Sequence, residues 1–339
     1  MILSVLLWLA PWTAAQTPAA PGVLNGTVLN ANTGQPGAGL MVSLDHYEGM
    51  TQVETLKAET DAQGRFKFAG LPVGDNQIYL ARVTYNGAEY YSDMITFPVS
   101  QTAQSIALHI YESSDDDSGL VIERTHLIVR ITAEAVSVDT MVVMSNNGKT
   151  TFAGKKTAAG KPATVLLTVP AGATALTFQD AALGDRFVAV EGGVADTQPV
   201  PPGQGTAQIV YSYNLPGQKG PWTLEYRLPY AAKAFNVLLA EGWTVQSESL
   251  SFAGTMGSAG SSFLNYVGQD LPAGAVLRLA FAPGAMSGAS SAAAGTQAGL
   301  PSYQGALLWM ALAATVVAVI AGVTYPYWRS ALHGQEPPA

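Results

Sequence analysis

Residues 60–68 read TDAQGRFKF, the pattern of a tight turn that leads into a β-strand. The Asp61 side chain can accept hydrogen bonds from backbone amides of the turn, and Gly64 can adopt a positive φ because it has no Cβ. Phe66 and Phe68 alternate with two basic residues, so both rings lie on one face of the strand. The stretch therefore predicts a β-hairpin that anchors a hydrophobic core.

Short runs of the same kind recur along most of the chain. Each run is followed by Gly, Pro, Asn or Asp, and runs with this spacing are typical of antiparallel β-sandwiches. The sequence thus predicts an all-β fold class, with tandem antiparallel β-sandwich domains outside the membrane and one C-terminal transmembrane helix. The clearest runs are residues 41–44, 65–68, 125–132, 141–144, 165–169, 208–213, 223–228, 235–239 and 276–281.

The first of these domains carries an ordered set of motifs. They are GTV at 26–28, TGQP at 33–36, VSL at 42–44, the stretch at 60–68 and LPVG at 71–74. In this order they resemble the carboxypeptidase regulatory-like family, which implies a seven-stranded, transthyretin-type sandwich of the carbohydrate-binding-like group over residues 24–112. The stretches DTQP at 196–199 and YSYNLP at 211–216 resemble membrane-anchored bacterial envelope proteins with such domains.

Two segments mark boundaries between domains. Residues 113–118 read SSDDDS, and three carboxylates could ligate calcium, but their spacing does not match an ordered calcium loop, so we interpret them as a solvated acidic linker. Residues 199–203 read PVPPG, which is difficult to place inside a central strand. The region 119–283 is therefore a second β-sandwich region, either one domain or two that divide near residue 200.

The start of the chain resembles an export signal. Residues 1–15 combine an apolar run with small residues at Thr13 and Ala15, which predicts a signal peptide cleaved after Ala15. No Lys or Arg precedes the run, so an uncleaved anchor stays open.

The other end predicts a membrane anchor. Residues 305–325 carry no charge, and a helix of this length spans about 31 Å, close to the thickness of a bilayer core. We predict a Gly/Ala/Ser tether at 284–303, a transmembrane helix at 304–327 and a short cytoplasmic tail at 328–339. The protein is then a single-pass protein of the cell membrane, with its N-terminal ectodomain outside the cytoplasm.

Composition excludes several classes of partner and cofactor. The chain has 339 residues, with 24 acidic against 16 basic side chains and a net charge of −8, so it offers no basic surface for nucleic acid. It has no cysteine, which removes disulfides, thiolate metal sites and cysteine nucleophiles together. We expect no cofactor.

No motif completes a catalytic site. His109 and Glu112 have the H-x-x-E spacing of a zinc peptidase, but on a strand their side chains lie on opposite faces, and a third ligand is not evident. The sequence contains no G-x-S-x-G nucleophile motif. We therefore predict a chain that is not an enzyme, with no catalytic, cofactor-binding or metal-binding residues.

Aromatic residues give the clearest indication of a binding site. Tyr85, Tyr90 and Tyr91 flank an Asn-Gly turn and could form a platform for a sugar or a protein, or could instead pack the core. The same two interpretations apply to a distal group, namely Trp222, Tyr226, Tyr230 and Trp243.

Three functions are consistent with these features. The first is a non-enzymatic scaffold whose sandwich domains bind a partner protein in the bacterial cell envelope. The alternative is a membrane-anchored module that binds carbohydrate or cell wall, for which Tyr85, Tyr90 and Tyr91 are the candidate residues. The third is a hydrolase whose site is assembled only in the folded chain.

Overall fold

The computed structural model describes residues 20–98, 100–157, 160–258 and 261–284, without the side chains of 257, 258 and 261. These residues form strands and turns with no helix, which confirms the all-β fold class. No helix in the described ranges is long and apolar enough to cross a membrane. The predicted signal peptide, transmembrane helix and cytoplasmic tail, and all but the first residue of the tether, lie outside these ranges.

The first sandwich contains eight strands. A five-stranded sheet has the order β3-β2-β5-β6 with β7 also paired to β5, and a three-stranded sheet has the order β4-β1-β8 with β8 parallel to β1. The two sheets enclose one apolar core that includes Leu24, Leu44 and Tyr79. The strands are β1 Gly22–Asn30, β2 Met41–Glu48, β3 Thr51–Glu59, β4 Arg65–Leu71, β5 Gly74–Tyr85, β6 Ala88–Tyr91, β7 Ile95–Phe97 and β8 Ala103–Ile110.

The turn before β4 has the predicted geometry. Asp61 Oδ1 accepts hydrogen bonds from the N–H groups of Gln63 (2.9 Å) and Arg65 (2.8 Å). Gly64 has a φ of 72°, and Phe66 and Phe68 are both buried with ring centroids 5.9 Å apart. The turn and the core anchors predicted from residues 60–68 are thus confirmed. The predicted hairpin is wrong, because β3 pairs with β2 and β4 pairs with β1, so the turn leads from one sheet to the other.

The sandwich has eight strands, one more than the resemblance implies, because the strand that pairs with β5 is interrupted after β6. Ser92 Oγ accepts a hydrogen bond from the Ala81 N–H (3.0 Å) and donates one to the Asp93 carbonyl (2.7 Å). A side-chain hydroxyl thus replaces part of the backbone pairing with β5. The strand that follows the Asn-Gly turn therefore stops at Tyr91, and pairing with β5 resumes as β7.

The acidic linker makes several hydrogen bonds, and Asp115, Asp116 and Ser118 are exposed to solvent. Its first two residues form β9, Ser113–Ser114, which pairs in parallel with β12, Thr151–Phe152. Asp116 Oδ1 accepts the Ser118 N–H at 2.9 Å, and this bond lowers the pKa of Asp116. Backbone pairing thus holds the start of this linker against the second sandwich.

The second sandwich region has one continuous core, which includes Leu127, Tyr211 and Phe281. Its main sheet has the order β16-β19-β11-β10-β21-β24-β23 and combines strands from both sides of residue 200. A three-stranded sheet has the order β20-β25-β22, and a second has the order β15-β18-β17. The strands are β10 Leu120–Ile131, β11 Ala135–Asn146, β13 Lys155–Lys156, β14 Pro162–Ala163, β15 Leu166–Leu167, β16 Thr174–Phe178, β17 Phe187–Val190, β18 Gly193–Asp196, β19 Gly203–Pro216, β20 Trp222–Arg227, β21 Ala232–Ala240, β22 Trp243–Gln246, β23 Ser251–Ser258, β24 Ser261–Leu271 and β25 Val276–Pro283.

Direct hydrogen bonds join the two sandwiches. Asn32 Nδ2 donates to the Lys149 carbonyl (2.8 Å), and the Tyr90 hydroxyl lies 2.7 Å from Thr151 Oγ1. The Thr151 N–H donates to the Glu112 carbonyl at 2.8 Å. Both sandwiches belong to one compact unit, and these bonds form part of the junction between them.

Candidate functional site

The three candidate tyrosines lie on a hairpin formed by β5 and β6. Asn86 and Gly87 have φ values of 49° and 80°, as a two-residue type I′ turn requires. Tyr90 pairs with Val83 and points into the core, whereas Tyr91 lies on the opposite face with 53% of its surface exposed. Tyr85 is half-buried and donates from its hydroxyl to Glu112 Oε1 at 3.0 Å. The three side chains therefore do not form a single platform.

Two of these tyrosines line a cleft between the sandwiches. The cleft has a volume of about 780 Å³, within the usual range for ligand sites. The first sandwich contributes β6, the residues after it and the end of β8, and the second contributes residues 198–206. The lining residues are Gly87, Glu89, Tyr90, Tyr91, Ser92, Asp93, Ala107, His109, Tyr111, Gln198, Pro199, Pro201, Pro202, Gln204, Gly205 and Thr206.

The exposed edge of the cleft is organised around Glu89. Its carboxylate accepts hydrogen bonds from the Tyr91 hydroxyl and from Arg82 Nη1, the latter at 3.0 Å. Arg82 Nε also donates to Asp45 Oδ2 at 2.8 Å, which fixes the guanidinium. Partial burial and the bond to Glu89 raise the pKa of Tyr91 to about 12, so its hydroxyl remains a donor at neutral pH. The Tyr91 ring is thereby held at the mouth of the cleft.

The base of the cleft is fixed by Tyr90. Its hydroxyl donates to the Tyr111 carbonyl at 3.1 Å in addition to its contact with Thr151. The rings of Tyr90 and Tyr111 are 5.9 Å apart. Burial raises the pKa of Tyr90, so the phenol is neutral and both bonds persist. The base is therefore part of the junction between the sandwiches.

The opposite wall is a proline-rich segment held at several points. Asp196 Oδ1 accepts the Gln198 N–H (3.0 Å), and Arg186 makes two hydrogen bonds to the same carboxylate at 2.9 and 2.6 Å. Val200 exchanges two backbone hydrogen bonds with Phe152, and its carbonyl also accepts from Asn146 Nδ2 at 2.9 Å. Proline fixes φ, so this wall has little freedom to move.

The charge of the cleft is negative. Glu89 and Asp93 supply carboxylates, and no Lys or Arg is among the lining residues. His109, at the end of β8, is exposed and can hydrogen-bond a ligand. The lining therefore favours neutral or cationic groups and disfavours anions.

The H-x-x-E pair does not form a metal site. His109 faces the cleft, while Glu112 accepts hydrogen bonds from Asn30 Nδ2 (2.7 Å) and Tyr85. Within the part of the chain that the structure describes, no group of three His, Cys, Asp or Glu side chains could hold a metal ion.

The distal aromatic group belongs to the core of the second sandwich. Tyr226 and Tyr230 are buried, with exposures of 2% and 8%. Trp222 stacks on Phe281 with ring centroids 4.7 Å apart, and Trp243 packs against the same core. Of the two interpretations of this group, the structure supports core packing.

The role of the proline-rich wall in a site is not evident from the sequence. The local pattern of residues 199–203 predicts only a boundary, because nothing in it indicates that they face β6 from more than 100 residues away. The feature of the sequence that could have indicated this wall is its concentration of proline. A proline-rich segment loses little conformational entropy when it is fixed in one place.

Comparison with known proteins gives partial matches. No family model matches the chain, and no curated protein matches it. Among solved structures, an M1 zinc metallopeptidase from Deinococcus radiodurans is 16% identical, with a TM-score of 0.33, over 56% of this chain and 50% of its own. A 9R-lipoxygenase from Cyanothece is 19% identical, with a TM-score of 0.21, over 30% and 18%. The full-length major pilin SpaD from Corynebacterium diphtheriae is 11% identical, with a TM-score of 0.22, over 74% and 81%.

These matches are weak. The chain spans half or less of the length of the metallopeptidase and of the lipoxygenase. Identities and TM-scores this low carry no argument about the present chain. The resemblance of residues 24–112 to the carboxypeptidase regulatory-like family therefore stays a prediction.

Proposed function

We propose that this chain is a non-enzymatic binding protein that holds a partner protein in the cell envelope, and that the cleft between its two sandwiches is the binding site. The observation that carries the proposal is the composition of the cleft. Residues from both sandwiches line it, and one large ring, that of Tyr91, is exposed at its mouth. Tyrosine is enriched at the centres of protein interfaces because it combines a large apolar ring with one hydrogen-bonding group.

The rigidity of the cleft supports the same function. The hydrogen bonds of Tyr90, Asp196 and Val200 fix the base and the far wall before any ligand arrives. A preorganised site loses less conformational entropy on binding, and more of its contact energy then appears as affinity.

The location of this activity rests on the sequence. The uncharged residues 305–325 support a single membrane span, and residues 1–15 support export. In this arrangement the sandwiches lie outside the cytoplasm, and the tether at 284–303 lets them meet an envelope protein near the bilayer.

Carbohydrate binding is the second candidate, and one observation favours it. The exposed Tyr91 ring faces a wall that contains the neutral amides of Gln198 and Gln204. An aromatic face together with amide groups can hold a sugar ring by stacking and by hydrogen bonds to its hydroxyl groups.

The proposal is tested by affinity purification of tagged full-length protein from native membranes in mild detergent, followed by mass spectrometry. We expect a membrane or envelope protein to co-purify in stoichiometric amount. Tyr91→Ala should reduce its recovery several-fold, whereas Tyr47→Ala, a change to a half-buried tyrosine of β2 outside the cleft, should leave it unchanged. Equal recovery with both variants would exclude the cleft as the binding site. Tyr91-dependent retention on glycan or cell-wall material, with no protein partner, would favour the second candidate.

The non-enzymatic part of the proposal has a separate test. The purified full-length chain should be inactive on panels of peptide and ester substrates, both with and without a chelator. Turnover that is lost in Tyr91→Ala would establish the hydrolase alternative instead.

A further inference from the structure

We propose that the cleft recognises an extended, positively charged segment of its partner, which adds a strand to the free edge of β6. This inference rests on the proposed function and specifies the chemistry of recognition at the same site. It is carried by the direction of backbone groups along β6 and by the charge of the side chains next to them.

The hydrogen bonds of the hairpin determine which backbone groups of β6 are free. The Ser92 N–H donates to the Ala81 carbonyl at 2.9 Å, and Tyr90 pairs with Val83. In an antiparallel ladder, alternate residues direct both their N–H and their C=O to the partner strand. Tyr90 and Ser92 thus point to β5, and the N–H and C=O groups of Glu89 and Tyr91 point away from it.

This free edge borders the cleft. Glu89 and Tyr91 both line it, and β6 has no second partner strand within the described residues. An added strand lies about 4.8 Å from its neighbour, and four extended residues span about 13 Å. A cleft of 780 Å³ can hold a segment of that size.

The other strand edge at the cleft is less accessible. The Thr102 carbonyl accepts from Val23 of β1, and the Ile110 carbonyl accepts from Ala31, the residue after β1, so the odd-numbered residues of β8 direct their C=O groups away from β1. However, the Gln104 amide reaches across to the Thr96 carbonyl, and the Tyr90 hydroxyl reaches the Tyr111 carbonyl. Bonds from the opposite sheet thus cover the edge of β8 at both ends, which leaves β6 as the docking edge.

The side chains around β6 select for positive charge. Asp93 is exposed beside the strand, and Glu89 shares its carboxylate between Arg82 and Tyr91. The lining contains the carboxylates of Glu89 and Asp93 and no Lys or Arg, and Arg82 is the cation paired with Glu89, so acidic groups outnumber basic groups at the cleft. Main-chain pairing holds any extended peptide, and the carboxylates and the Tyr91 ring then select Lys or Arg side chains.

Amide hydrogen exchange of the full-length protein, resolved to single residues, tests the docking edge. The probe is a decapeptide that alternates Lys and Thr, with decapeptides that alternate Ser and Thr or Glu and Thr as controls. The Lys peptide should slow exchange at Glu89 and Tyr91 at least several-fold and leave Tyr90 and Ser92 unchanged, because those two amides are already bonded to β5. Protection at Ala107 and His109 instead, or at none of these residues, would overturn the assignment to β6.

Affinity measurements test the charge preference. The Lys peptide should bind more tightly than either control, and raising the salt from about 0.05 M to about 0.5 M should weaken it several-fold. Asp93→Asn should reduce affinity about two- to five-fold, since an exposed ion pair contributes little. Asp75→Asn, which neutralises an exposed carboxylate of β5 outside the cleft, is the matched control. Equal affinity for all three peptides would overturn the preference.

The two proposals fail in different ways. If a partner co-purifies in a Tyr91-dependent manner but the Lys peptide protects neither Glu89 nor Tyr91, the mode of recognition is wrong and the binding function stands. If Tyr91→Ala changes neither partner recovery nor peptide binding, both are wrong.

Discussion

The Tyr90 hydroxyl lies at the junction of the two sandwiches, 2.7 Å from Thr151 Oγ1 and 3.1 Å from the Tyr111 carbonyl. Thr151 is fully buried, so its hydroxyl has no access to water if Tyr90 is shortened. The base of the cleft therefore depends on one hydrogen-bonded pair of hydroxyl groups, those of Tyr90 and Thr151, which is shielded from solvent. An unpaired buried group of this kind costs more than the net gain from the bond itself.

Tyr90→Phe should therefore destabilise the protein by about 1–3 kcal/mol in urea unfolding. The double variant Tyr90→Phe/Thr151→Val should recover part of that loss, since both partners are then apolar. Independent, additive losses in the two single variants would contradict the pairing.

Burial of His126 on β10 makes the stability of the fold depend on pH. Burial, with a smaller effect of Arg124, holds the pKa of His126 at about 4, compared with about 6.5 for an exposed histidine. The unfolded chain therefore binds a proton that the folded chain does not. The stabilising contribution is fully present above pH 6.5 and is lost as the pH falls toward 4, with a total of about 3 kcal/mol.

His126→Leu should remove this part of the pH dependence, because leucine does not titrate and the buried Nε2 has no hydrogen-bond partner to lose. The measurement is the free energy of unfolding at several pH values between 7 and 4. An unchanged slope in the variant would show that other groups cause the acid sensitivity.

Among the strands and turns, the turn before β4 connects β3 to β4 and is hydrogen-bonded to β1. Gly64 has a φ of 72°, its carbonyl accepts from the Val28 N–H at 2.8 Å, and a Cβ at this position would lie 2.4 Å from the Val28 carbonyl oxygen. Gly34 has the same φ of 72°, but a Cβ there would meet nothing within 4 Å. A comparison of the two positions therefore distinguishes the cost of a positive φ from the cost of a steric clash with Val28.

Gly34→Ala should cost about 1–2 kcal/mol, the penalty of a left-handed conformation for a residue with a Cβ. Gly64→Ala should cost more, because β1 must also move away from the added methyl group. Thermal and urea unfolding of both variants give the comparison. Equal losses would mean that the close approach to Val28 has no energetic consequence.

The elements were more predictable than the site. The turn at 60–68 and most strands could be predicted because alternation, Gly and Asp act over a few residues. The interruption after Tyr91 could not be predicted, because it depends on the Ser92 hydroxyl, which takes the place of a backbone carbonyl as the acceptor for the Ala81 N–H. The division of Tyr90 and Tyr91 between two faces follows from strand alternation, but the contact of the buried Tyr90 hydroxyl with Thr151 of the second sandwich does not.

In the whole molecule, the cleft depends on the hydrogen bonds that hold the linker against the second sandwich. Pairing of β9 with β12 and the bonds of Val200 to Phe152 bring residues 198–206 against β6. Long-range contacts of this kind leave no periodic pattern in the sequence, so the tyrosines could be proposed and the opposite wall could not. The negative charge of the whole chain, which is evident from composition, agrees with the charge of the cleft.

Site-specific photo-crosslinking in native membranes tests whether the cleft between the sandwiches binds a partner protein. A photoreactive phenylalanine analogue at position 91 and, separately, at position 204 probes the two walls of the cleft, and the same analogue at positions 47 and 252 probes surfaces outside it. We predict that positions 91 and 204 crosslink to the same protein and that positions 47 and 252 do not. Crosslinks to a shared protein from 47 and 252 alone, or none from any position, would contradict a partner-binding cleft between the sandwiches.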